Sequence, residues 1–371
     1  MCCRKKCKFD HNITTQDIKE SIKHMKSNKY DAIFRMSSNC LVFGTDLLCH
    51  KLSQIFKLMF SHGISNDIIN RSIIISLIKD KRRTAANSEN YRGISLSTMM
   101  SKLIEIVILN KIKSNLETSS CQLGFKEGHS TSMCSFMLKS TIQYYLNNNS
   151  NVFAIFLDAS KAFDRVKHDQ LFKILIDKDI CPMYIRLIFV MYTFNNAIVK
   201  WNNDVSEPFY MSNGVKQGGI LSPYLFALYL DPLLKEINNS RIGCYVGGTP
   251  CNAFAFADDV AILSPSAAGA RALISICEEF SMQYSIKFNS DKSKFIVFTK
   301  RNSIIKSNLY LNNSLIEQVS EIKYLGFKIN NSNKFYNIEE TINEIEIKAN
   351  SINYIHYSLF RDFERKTQVI E

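Results

Sequence analysis

Asp258 and Asp259 stand side by side between two apolar runs, and a third acid, Asp158, closes an earlier apolar run. Adjacent residues on a regular strand point to opposite faces, so this pair can serve one site only at a turn. Ala253-Phe254-Ala255-Phe256 leads in and Val260-Ala261-Ile262-Leu263 leads out, which leaves Ala257 to Asp259 as the connection of a hairpin. Val152 to Leu157 has the length and unbroken apolarity of a buried central strand. If the two strands are neighbours, all three acids meet at one edge of a sheet. Carboxylates packed together repel and raise each other's pKa unless cations neutralise them. Mg²⁺ takes a few carboxylate oxygens together with water and phosphate. Two such ions about 3.5–4 Å apart would serve an in-line displacement at phosphorus. Taken alone, an Asp-Asp pair between strands reads first as an ordinary solvated turn.

The elements that must position these acids are legible in part. Apolar residues recur at helical spacing from Thr15 to Met25 and from Gly44 to Phe60, and Ile73 to Ile78 is a β-branched strand candidate followed by a basic loop, Lys79 to Arg83. Thr98 caps a helix through Leu103, Ile104, Val107 and Ile112, and Asn147 to Ser150 breaks the chain before the Asp158 strand. Asp169 to Leu175 and Met183 to Phe194 read as helices, and Ala197 to Trp201 with Pro208 to Met211 as a strand pair. Ser222 is an N-cap before Pro223, with Leu225, Phe226, Leu228, Tyr229 and Leu233 on the buried face of the helix that follows. Loops fall at 302–314 and 330–333, and 338–355 reads as a helix.

Composition bounds the class. A 371-residue chain with 46% hydrophobic and 22% charged residues is an ordinary globular protein of more than one lobe. Its net charge of +12 and pI near 9.1 suit a polyanionic partner, although charge alone fits a basic surface equally well. Eleven cysteines without disulfide-framework spacing read as reduced, mostly buried thiols of an intracellular protein, in cytoplasm or nucleus. Cys2, Cys3 and Cys7 with His11 lack the second half of a zinc pattern. No signal peptide and no membrane-length apolar run is present, so no membrane partner is expected.

Asp158 is followed by Ala159-Ser160-Lys161-Ala162-Phe163-Asp164, and Gly214 by Val215-Lys216-Gln217-Gly218-Gly219-Ile220-Leu221-Ser222-Pro223. With Phe256 to Asp259, these strings resemble in order and spacing the palm motifs of reverse transcriptases, above all those of non-LTR (LINE-type) retrotransposons. Four further stretches also resemble motifs of that family. They are Asn90 to Leu96; Gln122-Leu123-Gly124-Phe125 with Gly128 and Ser130-Thr131; Asn289 with Lys292-Ser293; and Tyr324-Leu325-Gly326. The likeness covers about residues 70–330. It departs at Gly93, where the family has Pro, at Leu123, where it has Phe, and at Lys26 to Ala32, which lacks the usual Pro and Gly.

The resemblance implies an α+β, right-hand polymerase fold with fingers, an antiparallel-sheet palm and an incomplete thumb. The expected division is a helical N-terminal extension over 1–70, fingers over 71–150, palm over 151–300, and palm end with partial thumb over 301–371. It further implies an RNA-directed DNA polymerase that moves a nucleotidyl group from a dNTP to a DNA primer on an RNA template, with two Mg²⁺ or Mn²⁺ ions. Asp158, Asp258 and Asp259 would be the metal ligands, joined by the Ala159 carbonyl. Phe163 would lie under the incoming sugar and exclude a 2′-hydroxyl, and Gln217 with Gly218 would sit beneath the nascent pair. Lys79, Arg82 and Arg92 would meet phosphates, Tyr91 the template, Lys292 the leaving pyrophosphate, and Tyr324-Leu325-Gly326 the primer. Lys292 reads equally as a solvated lysine, and Tyr324 to Gly326 as a hydrophobic strand end. No endonuclease-like segment precedes these motifs and only a short tail follows, so the sequence reads as a truncated copy or partial gene model. The alternative is an inactive nucleic-acid-binding remnant of such a polymerase.

Overall fold

The structure, a computed structural model, describes residues 12–331 apart from 32, 81, 83, 85 and 301–304. The cysteines of the zinc reading, Lys81 and Arg83 of the basic loop, and the helix expected over 338–355 lie outside the described residues. The architecture is mixed α+β. The chain forms two compact units that are discontinuous in sequence. The first takes Met1–Ser119, Ser160–Pro232 and Phe280–Lys287; the second takes Ser120–Ala159, Leu233–Glu279 and Phe288–Glu371.

The second unit is built on a five-stranded sheet in the order Glu317–Gln318, Lys294–Phe298, Val152–Leu157, Asp259–Ser264, Ala253–Phe256. Every residue of Val152–Leu157 is buried, as its unbroken apolar run predicts for a strand covered on both faces. It pairs antiparallel with Asp259–Ser264 on one side and Lys294–Phe298 on the other. Val152, Ala154 and Phe156 share one face, as alternation requires. They join Cys134, Leu138, Ile142 and Leu146 of the Thr131–Asn147 helix in a core that also takes in Tyr324, Phe327 and Ile329. The break expected after Asn147 falls where that helix ends.

The first unit contains a second sheet, in the order Tyr91–Ser97, Arg71–Ile78, Asn196–Trp201, Asp204–Val205, with Phe209–Tyr210 also paired to Asn196–Trp201. Arg71–Ile78 runs antiparallel to Tyr91–Ser97 and parallel to Asn196–Trp201. The helices expected from spacing are present as Thr15–Lys23, Asp46–His62, His168–Asp177 and Pro182–Thr193. Leu225, Phe226, Leu228 and Tyr229 of the helix Ser222–Asn239 are fully buried, as their spacing predicts.

Thr98 caps the helix Met99–Ile112, its hydroxyl accepting from the Ser101 N–H. That helix is buried around most of its girth, and one of its buried residues is Glu105. The Glu105 carboxylate accepts from the Ile220 N–H at 2.7 Å and the Leu221 N–H at 3.1 Å. Lys216 is buried close by: burial lowers its pKa, and the Glu105 charge works against that. A buried carboxylate is tolerable because these backbone donors replace its water. Glu105 therefore ties the loop at 216–221 to the helix. Replacing Glu105 by Ala strands two amide hydrogens, and we expect a loss of about 3 kcal/mol in urea unfolding. A loss under about 0.5 kcal/mol, the size of an ordinary surface change, would contradict this role.

Candidate active site

The hairpin expected at Phe256 to Asp259 is tighter than the sequence implied. Asp259 pairs with Phe256, so Ala257 and Asp258 alone form the turn and Asp259 is the first residue of the outgoing strand. Ala257 has φ +59°, a left-handed conformation that costs a non-glycine residue about 1 kcal/mol or more. Val260 pairs with Leu157, and one further step of that register sets Asp158 opposite Asp259. Directly opposed residues share a face of the sheet. Burial pushes the Asp259 carboxyl up to about 6 from its ordinary value of 3.8, and the charges of Asp258 and Asp158 add to the shift.

Asp158 is anchored through its backbone. Its N–H donates to the Ser293 hydroxyl at 3.1 Å and its carbonyl accepts from the Asn289 N–H at 2.9 Å. The Asn289 side chain in turn accepts from the N–H groups of Asp291 and Lys292, closing the loop that presents Ser293. Lys292 Nζ lies 3.9 Å from the Asp158 carboxylate, with both side chains about half in solvent. Ala159 pairs across to Phe288, but the bonds on that side are made by its neighbours, the Asp158 carbonyl accepting from the Asn289 N–H and the Ser160 N–H donating to the Lys287 carbonyl. In an antiparallel ladder the backbone groups of successive residues alternate sides, so the Ala159 carbonyl faces away from Phe288, toward the Asp258-Asp259 side.

Tyr324 does not present its ring to solvent. It is buried, lies 5.0 Å from the Phe156 ring, and directs its hydroxyl to the Asp259 carbonyl at 3.5 Å, with Cys134 Sγ at 3.9 Å. Burial pushes its pKa well up, and the Cys134 thiol goes up to about 12 for the same reason. This side chain supports the Asp259 strand from within the core, as the reading of a hydrophobic strand end allows. Leu325 and Gly326 both have positive φ and form the two-residue turn between Glu321–Tyr324 and Phe327–Asn330. Nothing lies within 4 Å of a Cβ built on Gly326.

The nucleotide-side candidates other than Lys292 belong to the first unit. Phe163 stacks on Phe226 with ring centroids 4.5 Å apart and planes 13° from parallel, and is itself half-buried. Its segment is knitted to the glycine-rich loop: Val215 N–H donates to the Phe163 carbonyl, and Gln217 Nε2 donates to Asp164 at 2.8 Å. The Gln217 carbonyl accepts from the Ser95 N–H at 2.7 Å. Gly218 has φ +109°, and a Cβ there would stand 2.8 Å from the Ser95 carbonyl, so only glycine fits. Arg92 is exposed on the Tyr91–Ser97 strand, and the Tyr91 ring packs on Trp201 at 4.8 Å. Lys79 is exposed and donates to the Glu89 carbonyl, while Arg82 pairs with Asp80. Phe163, Gln217, Gly218 and the strand carrying Tyr91 and Arg92 are thus brought together within one unit.

A sequence profile described as reverse transcriptase (RNA-dependent DNA polymerase) matches residues 78–329. The chain belongs to the reverse transcriptase family. Its domain is related to the polymerases of non-LTR retrotransposons. It is 27% identical over 257 residues to the retrovirus-related Pol polyprotein of the R2DM element of Drosophila melanogaster, covering 66% of this chain and 24% of that protein. It is 28% identical to the probable RNA-directed DNA polymerase from transposon BS of the same fly, over 69% of this chain and 29% of that one. With the RNA-directed DNA polymerase of the jockey element of Drosophila funebris the identity is 24%, over 87% and 36%. The chain thus spans between a quarter and about a third of the length of these relatives. A solved telomerase from Candida tropicalis aligns with TM-score 0.47 and 12% identity, over 77% of this chain and 59% of that one.

Reverse transcriptases as a family use divalent metal ions. Among the described residues no group of three or more His, Cys, Asp or Glu side chains stands ready to hold a metal ion, so Asp158, Asp258 and Asp259 do not by themselves form a closed metal site. Mg²⁺ keeps water and substrate phosphate in its shell and takes only a few protein oxygens. Burial first, and then the charges of Asp258 and Asp158, disfavour the ionised Asp259 carboxyl, a cost that a cation beside it would offset. Sequence reasoning assigned no role to Ser293, Glu105 or Lys161, whose ammonium pairs with Glu89 at 2.6 Å. A glutamate inside the apolar run Leu103 to Ile108 was the one available signal among them.

Because the folded pKa of Asp259 is raised, this group's contribution to stability is full below its unfolded value and is lost as pH rises through about 6. With metal chelated, Asp259→Asn should melt higher than the parent by roughly 2 °C or more at about pH 8. The gap should close below about pH 4. A variant that melts lower at the higher pH would contradict the raised Asp259 carboxyl.

Proposed function

We propose that this chain is an RNA-directed DNA polymerase that extends a DNA primer on an RNA template, with a right-hand arrangement of fingers, palm and partial thumb. In this reading, Asp158, Asp258 and Asp259, with the Ala159 carbonyl, hold two Mg²⁺ or Mn²⁺ ions. The observation that most supports it is the strand register that sets Asp158 opposite Asp259, with Asp258 in the adjoining turn. When bound, the ions would polarise the primer 3′-hydroxyl and neutralise the charge of the triphosphate and departing pyrophosphate.

The chain's own residues then have the following work. Asp158 is held by its backbone to Ser293 and Asn289, so its carboxylate needs little reorganisation to receive a cation. Lys292, beside that carboxylate, is well placed to meet pyrophosphate oxygens. Phe163, fixed by its stack on Phe226, offers a rigid ring to the sugar of the incoming nucleotide and excludes a 2′-hydroxyl by bulk. Gly218 leaves backbone bare for the nascent pair, with Gln217 anchored at both its amide and its carbonyl. Arg92 and Lys79 meet phosphates, Arg by fork-like hydrogen bonding. Tyr91 is assigned to the template, and the Leu325-Gly326 turn to the primer strand. The net charge of +12 suits both nucleic-acid strands and makes their binding salt-dependent. Among the described residues no helix is long and apolar enough to cross a membrane. An intracellular place of action, in cytoplasm or nucleus, belongs to this proposal.

Primer extension on an RNA template with dNTPs is the test. We expect Mg²⁺-dependent incorporation that Asp258→Ala reduces by at least about a hundredfold. A folded preparation that binds RNA but incorporates nothing would favour the inactive binder. Phe163→Val should raise use of ribonucleotides relative to deoxynucleotides by about tenfold or more. An unmodified protein that already prefers ribonucleotides would contradict the sugar gate.

A further inference from the structure

The turn that carries Asp258 is short, and its leading residue, Ala257, is held in a conformation that alanine does not favour. Something must over-determine it. The segment at 121–124 runs alongside the Ala253–Phe256 strand: Ala255 N–H donates to the Cys121 carbonyl, and Leu123 N–H to the Ala255 carbonyl, each at 2.8 Å. This places Gln122, which is fully buried, at the turn. Its Oε1 accepts from the Ala257 N–H at 3.2 Å and from the Gly124 N–H at 2.9 Å. Its Nε2 points to the Ala257 carbonyl at 3.4 Å. One amide thus engages both backbone groups of the left-handed residue. The approach is close enough to demand glycine two positions on: a Cβ on Gly124 would lie 2.3 Å from the Ala257 nitrogen.

We infer that Gln122, with Gly124 beside it, is a positioning residue for the acidic turn: it fixes the backbone of Ala257 and thereby sets where Asp258 and Asp259 present their carboxylates. A buried amide that served stability alone could be satisfied by any backbone; this one is spent on the residue that precedes both acids. Asparagine would be one methylene too short to span the same two groups from the same strand position. The inference rests on the metal-dependent reading of the acids, and extends it to a residue that touches neither metal nor substrate.

The test compares the full chain, Gln122→Leu and a core control, Leu138→Ala, a buried residue of the helix Thr131–Asn147 that makes none of the bonds to the turn. Three quantities are read for each: melting temperature, Mn²⁺ affinity without nucleic acid, and kcat and KM for dNTP in primer extension. Gln122→Leu should lower kcat on the order of ten- to a hundredfold, as expected when reacting groups are displaced by a fraction of an ångström to one ångström. KM for dNTP should stay within about twofold, because uniform binding is untouched. Mn²⁺ affinity should weaken severalfold. Leu138→Ala should keep kcat and Mn²⁺ affinity despite an equal or larger fall in melting temperature. A Gln122→Leu protein that matches the control in kcat and Mn²⁺ affinity overturns the inference. If Gln122→Leu does not fold, Gln122→Asn, which keeps a buried amide one methylene short of the turn, carries the same expectations and the same contradicting result. Absence of extension by the unsubstituted protein would sink the polymerase reading on its own, while Mn²⁺ affinity would still decide the role of Gln122. An unsubstituted protein that neither extends primers nor binds Mn²⁺ would end both.

Discussion

Like charges held at the ends of hydrogen-bonded strands cannot move apart without breaking the ladder that holds them. Asp158 and Asp259 face one another because Val152–Leu157 and Asp259–Ser264 are locked in register, and Asp258 adjoins because only two residues make the turn. The apolar core beneath fixes that register: a slip of one residue would carry Ala154, Phe156, Ala261 and Leu263 out of the core they share. The repulsion is thus built into the sheet and is left over for something else to offset. Lys292 is too exposed and too distant from Asp158 to do so alone. A divalent cation is the economical partner for such an edge, and phosphate is the ligand such a cation brings with it.

Around that constraint the second unit places backbone anchors. Ser293 and Asn289 hold Asp158, Gln122 holds Ala257, and the Tyr324 hydroxyl reaches the Asp259 carbonyl from the core. Each of these bonds is made to main chain and not to a carboxylate oxygen. The first unit shows a parallel economy in its glycine-rich loop. Buried Glu105 accepts two loop amides, Ser95 and Phe163 exchange backbone bonds with it, and Gly218 passes where a side chain could not. In both units the groups assigned to substrate stand on backbone that several independent bonds determine, which is what preorganisation requires.

Much of this was legible in the residues. An unbroken apolar run ending in Asp, and two short apolar runs around Asp-Asp, carry the length of strands, while that the runs are neighbours, and in which register, came from the structure. What stayed hidden were contacts between residues far apart in sequence. Gln122 and Ala257 are 135 positions apart, as are Asp158 and Ser293, and Glu105 and Ile220 are 115 apart. Neither periodicity nor propensity encodes such pairs. Tyr324 shows a different limit: its motif was visible, but the direction of its ring depends on the core packing of Phe156 and Cys134. The turn was read one residue too long because alanine in a left-handed position carries no sequence signal of the kind glycine or asparagine gives.

The central claim is spatial: Asp158 and the Asp258-Asp259 turn share bound cations. Anomalous scattering from Mn²⁺ in crystals of the chain with primer, template and a non-reactive nucleotide measures this directly. The account predicts two Mn²⁺ peaks, each within coordination distance of an oxygen of Asp158, Asp258 or Asp259, with Asp158 reaching at least one ion that the turn also holds. Peaks confined to one of the two elements, or an Asp158 carboxylate turned away from ordered Mn²⁺, would contradict it.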